Sequence, residues 1–82
     1  MEHKLKTTPI FFADAACGAK TFEIRKNDRN FQVGDFLRLE EYDPSTKKYT
    51  GDWVLVTVSY TINLYGIPDL PNGFIGMVIE KV

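Results

Sequence analysis

GAKTFEIRKNDR, residues 18–29, opens on a glycine, alternates apolar and charged side chains, and closes in a polar turn. Gly18 suits the left-handed residue just past a helix end, so the chain before it reads as helix and the chain after it as strand. Along the predicted strand Thr21–Lys26, Phe22 and Ile24 share one face while Thr21, Glu23 and Arg25 share the other. A strand between two apolar layers would not carry charge on every second residue. One face therefore meets water or lines a polar cleft. Strict alternation leaves Lys20 opposite Glu23 and Arg25 unless the chain bends just after Gly18.

Upstream, HKLKT (residues 3–7) reads as a short strand with His3, Leu5 and Thr7 on one face and Lys4 and Lys6 on the other. Thr7 or Thr8 is expected to cap a helix that has Pro9 in its first turn, where a missing N–H costs nothing. Ile10–Cys17 is apolar almost all round, with Asp14 its only charge, and so is expected to lie largely under the sheet.

Downstream, Asn27–Asn30 and Val33-Gly34-Asp35 read as turns, and Phe36–Tyr42 as a strand. Asp43-Pro44 begins a hairpin connection that Gly51-Asp52 ends. The longest predicted strand is Trp53–Ile62, with Val54, Val56, Val58, Tyr60 and Ile62 on one face. Residues 63–73 hold two prolines and two glycines and read as a surface loop, long for so small a domain. Phe74–Val82 reads as the last strand. The expected fold is α+β: a small, mostly antiparallel β-barrel of about five to six strands, one short helix plugging an end.

At 82 residues the chain is expected to form one domain, residues 1–82, and 44% hydrophobic content is enough for a core. No apolar run reaches the ~18–20 residues of a membrane span, and the N-terminus lacks the apolar stretch of a signal peptide. A cytoplasmic protein with no membrane association is expected. One cysteine excludes an internal disulfide, and one histidine leaves no pair for a metal site, so neither metal nor cofactor is expected. A net charge of -1 argues against generic gripping of a nucleic-acid backbone and confines any such contact to a local patch or pocket.

Gly18, Lys20, Glu23 and Arg25 spell G-x-K-x-x-E-x-R, which resembles the signature of the ASCH domains, relatives of the PUA fold. The likeness extends to a short bacterial and phage ASCH-like family of uncharacterised function. It runs through His3, Leu5 and Lys6, then Lys20 to Asp35, then Asp43-Pro44 and Tyr49-Thr50-Gly51. The resemblance implies a PUA-like barrel and a cleft, lined by the signature residues, that receives a nucleotide or part of an RNA. Some ASCH proteins are amidohydrolases that deacetylate 4-acetylcytidine. They are similar to this chain at Gly18, Lys20 and Arg25 but carry a threonine, thought to be the nucleophile, where this chain has Glu23.

The first functional expectation is therefore a binding module for a nucleotide or for a base, modified or not, within RNA. Arg25 suits planar recognition of a carbonyl or phosphate, Lys20 an oxyanion, and Glu23 a base's amino group. Lys26 and Arg29 extend the positive charge toward phosphates, and His3, Lys6 and Thr21 complete the candidate binding set. The same three charges also read as a surface ion pair, His3 as an ordinary strand residue, and Cys17 as core. Tyr49, Trp53 and Tyr65 are candidate stacking platforms or core aromatics. The second expectation is a small amidohydrolase on a modified nucleoside with Lys20 and Glu23 as catalytic groups. The third is a protein-interaction module using a sheet edge or the 63–73 loop.

Overall fold

In the computed structural model, which describes all 82 residues, the alternation of HKLKT becomes β1 (Glu2–Thr7). His3, Leu5 and Thr7 are buried there and the residues between them exposed. The helix forms where expected, as α1 (Pro9–Ala16), with proline at its start and Gly18 just past its end at φ 83°. Two expectations about it fail. Thr8 is the N-cap but makes no side-chain cap bond, and only Ala15 is buried, with Phe12 packed on the core. Ile10 and Phe11 remain 76% and 55% exposed. A helix of eight residues shows the sheet a single stripe, so its remaining apolar side chains stay in solvent.

The other strands are β2 (Phe22–Lys26), β3 (Phe36–Asp43), β4 (Lys48–Leu64) and β5 (Phe74–Lys81), giving five in all. They form one sheet in the order β1-β3-β4-β5-β2. β1 runs parallel to β3, and every other pairing is antiparallel. No ladder joins the outermost strands, yet side chains bridge them. Arg25 of β2 donates through Nη2 to the Lys6 carbonyl oxygen at 2.9 Å, and Arg29, just past β2, donates to that of Lys4. The sheet is thus curled into a half-barrel with a seam between β1 and β2.

β4 is 17 residues long and begins five residues before the expected strand. The hairpin closes at residues 44–47, where Asp43 accepts from the Ser45 N–H and hydroxyl at 2.9 and 2.7 Å. Those bonds, the hydroxyl's above all, hold the Asp43 carboxyl below its ordinary pKa. Gly51-Asp52, expected to end the connection, instead sits inside β4, with φ 98° at Gly51, as part of a bulge opposite Glu41.

A second bulge corrects the expected facing of β4. Val58 pairs with Ile79 and Tyr60 with Val78, so Ser59 is an extra residue. Val54, Val56 and Val58 point into the core as expected, whereas Tyr60 and Ile62 turn outward, 57% and 45% exposed. The core lines the inside of the half-barrel around Leu37, Leu39, Val56, Val58, Met77 and Ile79, with Leu5, Phe31 and Ile75 beside them. Truncating Leu37 or Leu39, both wholly buried, would cost roughly 2–5 kcal/mol.

Candidate functional site

β2 sits in the sheet with its charged face inward. Glu23 is buried, while Phe22 and Ile24 on the opposite face are 42% and 51% exposed. Of the two options for the charged face, the cleft is the one realised. A carboxylate so placed needs partners, and two cations supply them. Arg25 donates to Glu23 Oε2 from Nη2 at 3.1 Å and from Nε at 3.3 Å. Lys20 Nζ donates to Glu23 Oε1. Lys20 reaches it because the chain turns at Gly18, held by Lys20 N–H bonding to the Asp14 carbonyl at 3.0 Å. Strand alternation alone would have kept the two apart.

The trio forms the floor of a cleft of about 430 Å³ at the seam. Lys6, Thr7 and Thr8 border it from the β1–α1 junction, and Phe11, Phe22 and Ile24 give it an apolar wall. The Lys20 ammonium lies 5.5 Å from the centre of the Phe11 ring, within cation–π range. Buried Thr7, which caps nothing, has its hydroxyl 3.4 Å from Arg25 Nη2. A cleft of this size and lining suits a small ligand with a flat apolar face and a polar rim. A second hollow of about 200 Å³ lies across Arg25, among Leu5, Lys26, Asp28, Arg29 and Phe31.

The remaining candidates do not join the floor of the cleft. Lys6 borders the cleft, with its ammonium 4.5 Å over the Tyr42 ring. Lys26 and Arg29 line the second hollow. Thr21 is exposed, and its carbonyl accepts from Ile79 N–H at 2.9 Å. His3 lies outside the cleft altogether. It is buried edge-on to Phe31, and its Nε2 meets Asp35 Oδ2 at 2.8 Å. Burial pushes the Asp35 carboxyl up, but hydrogen bonds from His3, the Gln32 N–H and the α-ammonium group outweigh it, leaving the pKa below the ordinary value.

Tyr49 and Trp53 are half exposed on the outer face of the β3–β4 hairpin, Tyr49 edge-on to Tyr42 and Trp53 under the Arg38 guanidinium at 4.0 Å. Neither they nor Tyr65, nor any other residue of the 65–73 loop, lines the cleft. Cys17 is an exposed free thiol rather than core. No three His, Cys, Asp or Glu side chains gather where they would hold a metal ion. No helix is long and apolar enough to cross a membrane.

Sequence reasoning missed Thr7, Thr8, Phe11, Phe22 and Ile24 as cleft residues. No local signal marked them: β2 exposes both its faces to the cleft only because the strand order puts it at the seam. Compared with known proteins, residues 2–79 match a family described as "Domain of unknown function (DUF3850)". No curated protein matches the chain.

Proposed function

The chain belongs to the DUF3850 family, and for this member of it we propose a binding role, in which the seam cleft takes a nucleotide or a base carried by RNA. One observation carries the reading: Glu23 is a buried carboxylate fixed between an ammonium and a guanidinium, on the floor of a cleft walled by phenylalanines. A nucleobase has two flat apolar faces and a rim of donors and acceptors. Phe11 and Phe22 offer rings to a face. Glu23 accepts from an exocyclic amine, and Arg25 donates to a ring carbonyl. Lys6, at the cleft border, supplies charge for a phosphate. A net charge of -1 favours such a pocket over a long electrostatic track.

The finer family reading belongs to the same proposal. Gly18, Lys20, Glu23 and Arg25, the residues that resemble the ASCH signature, are the ones that bend the chain into the cleft and line its floor. The curled half-barrel with its end helix is compatible with a PUA-like ancestry.

The test is an amide NMR titration with cytidine and with 4-acetylcytidine, following the nucleoside's own proton signals in the same tube. Shifts confined to residues 6–11 and 20–25, with the nucleoside intact, are expected. Glu23→Gln keeps the shape of the floor but gives up a charged acceptor, and should weaken binding about tenfold or more. Release of free acetate would replace the binding role with an amidohydrolase. Silence from both nucleosides would remove the cytidine pocket.

A further inference from the structure

The outer face of the β4–β5–β2 sheet carries a second organised surface. Two ladders set its rows: Tyr60, Val78 and Phe22 lie side by side, then Ile62, Gly76 and Ile24, then Leu64, Phe74 and Lys26. Eight of these nine positions are apolar, and Phe22, Ile24, Tyr60 and Ile62 are each between 42% and 57% exposed. The rows fit closely. A Cβ on Gly76 would stand 2.8 Å from the Phe22 ring and 3.1 Å from the Ile62 methyl, so these side chains close over the glycine. Solvent-facing rows of an antiparallel sheet are ordinarily polar, and a contiguous apolar patch of this kind marks an interface.

Charge at its two ends identifies the occupant. Glu80, exposed, lies on the same face of β5, one row beyond Val78, while exposed Lys26 sits at the opposite end. The midpoint of the four rows falls between the Val78 row and the Gly76 row. A two-fold axis in the plane of the face, perpendicular to the strands at that midpoint, lays the apolar Val78 row of each copy on the apolar Gly76 row of the other. It also brings Glu80 of one copy over Phe74 of the other, with Lys26 one strand to the side, within reach of its long side chain. The surface is complementary to itself in apolar pattern and in the charges at its ends, which is what an isologous contact requires. We propose that this face is the contact between two copies of the chain, a strand-reversed, sheet-on-sheet homodimer. Because Phe22 and Ile24 also border the seam cleft, the second copy would stand at its rim.

Sedimentation equilibrium of the whole chain over a wide concentration series tests this. The expected result is a dimer whose population grows with concentration. Ile62→Glu should raise the dissociation constant by roughly tenfold or more, because it forces an unpaired carboxylate into the contact. Lys26→Glu and Glu80→Lys alone should each weaken it, and the double variant should restore it. These two residues are exposed, so the charge-swap series stands even if Ile62→Glu fails to fold, which far-ultraviolet circular dichroism reports. A wild-type chain that sediments as a monomer throughout overturns the proposal and leaves the face to a different partner. So does a dimer indifferent to Ile62→Glu in a folded variant, or one that the charge-swapped pair does not restore.

Discussion

Burial alone would raise the Asp35 carboxyl, but the His3 ring, the Gln32 amide and the α-ammonium group hold it below its ordinary value. A carboxyl lowered on folding lends stability that is complete above its unfolded pKa, about 3.9, and is lost as pH falls through the lower folded value. The thermal midpoint should therefore hold steady down to about pH 4 and then decline, in part through Asp35. Asp35→Asn should lower the midpoint near neutrality and flatten that decline. A variant with the wild-type acid profile would rule out Asp35 as a source. At this scale the sequence was partly legible. Alternation put His3 on the face of Leu5 and Thr7, which is the buried one. Its partner lies 32 residues away in a turn, and no local pattern could connect them. Glu23 and Arg25 were paired by spacing, whereas Lys20 needed the Gly18 turn, a feature of one backbone angle rather than of periodicity.

Gly76 shows how one strand accommodates another. With no Cβ, it leaves room for the Phe22 ring and the Ile62 methyl to meet above β5. Gly76→Ala should destabilise the fold by about 1 kcal/mol, because the ring must swing outward. In a Phe22→Ala background the same change should cost much less, and a double-mutant cycle by urea denaturation measures the difference. Additive losses would mean that the ring and the glycine do not share the space. Element boundaries were readable wherever alternation was unbroken: β1, β2, β3 and β5 end within a residue of the expected positions. β4 was misjudged at both of its irregularities. Gly51-Asp52 has the composition of a turn but lies within the strand, and Ser59 carries no mark of being an extra residue. The helix was placed correctly and its burial overstated, since apolar content says nothing about how much surface is available to cover it.

The seam is the feature of the whole molecule on which the cleft depends, and it follows from a strand order that no local signal encodes. β1 pairs with β3 across the helix and β2, and β2 pairs with β5 across half the chain, so the first and last positions in the sheet go to its first two strands. What spans the gap is a pair of arginines donating to β1 carbonyls. An exposed hydrogen bond of this kind contributes about 0.5–1.5 kcal/mol. Arg29→Ala should therefore speed hydrogen exchange at β1 edge amides by roughly threefold to tenfold. Amides of Leu37 and Met77, deep in the core, should keep their wild-type rates. Uniform acceleration would show instead that the seam opens only with global unfolding. The bulge at Ser59 has a consequence of another kind. It acts as a frame shift within a strand: the count of residues, not their identity, decides which side of the sheet Tyr60, Ile62 and Leu64 present. Deleting that one serine, with every other letter unchanged, would exchange their inward and outward assignments. A lineage could thus acquire or erase the apolar outer face in one insertion or deletion, where substitution would need a separate event at each position.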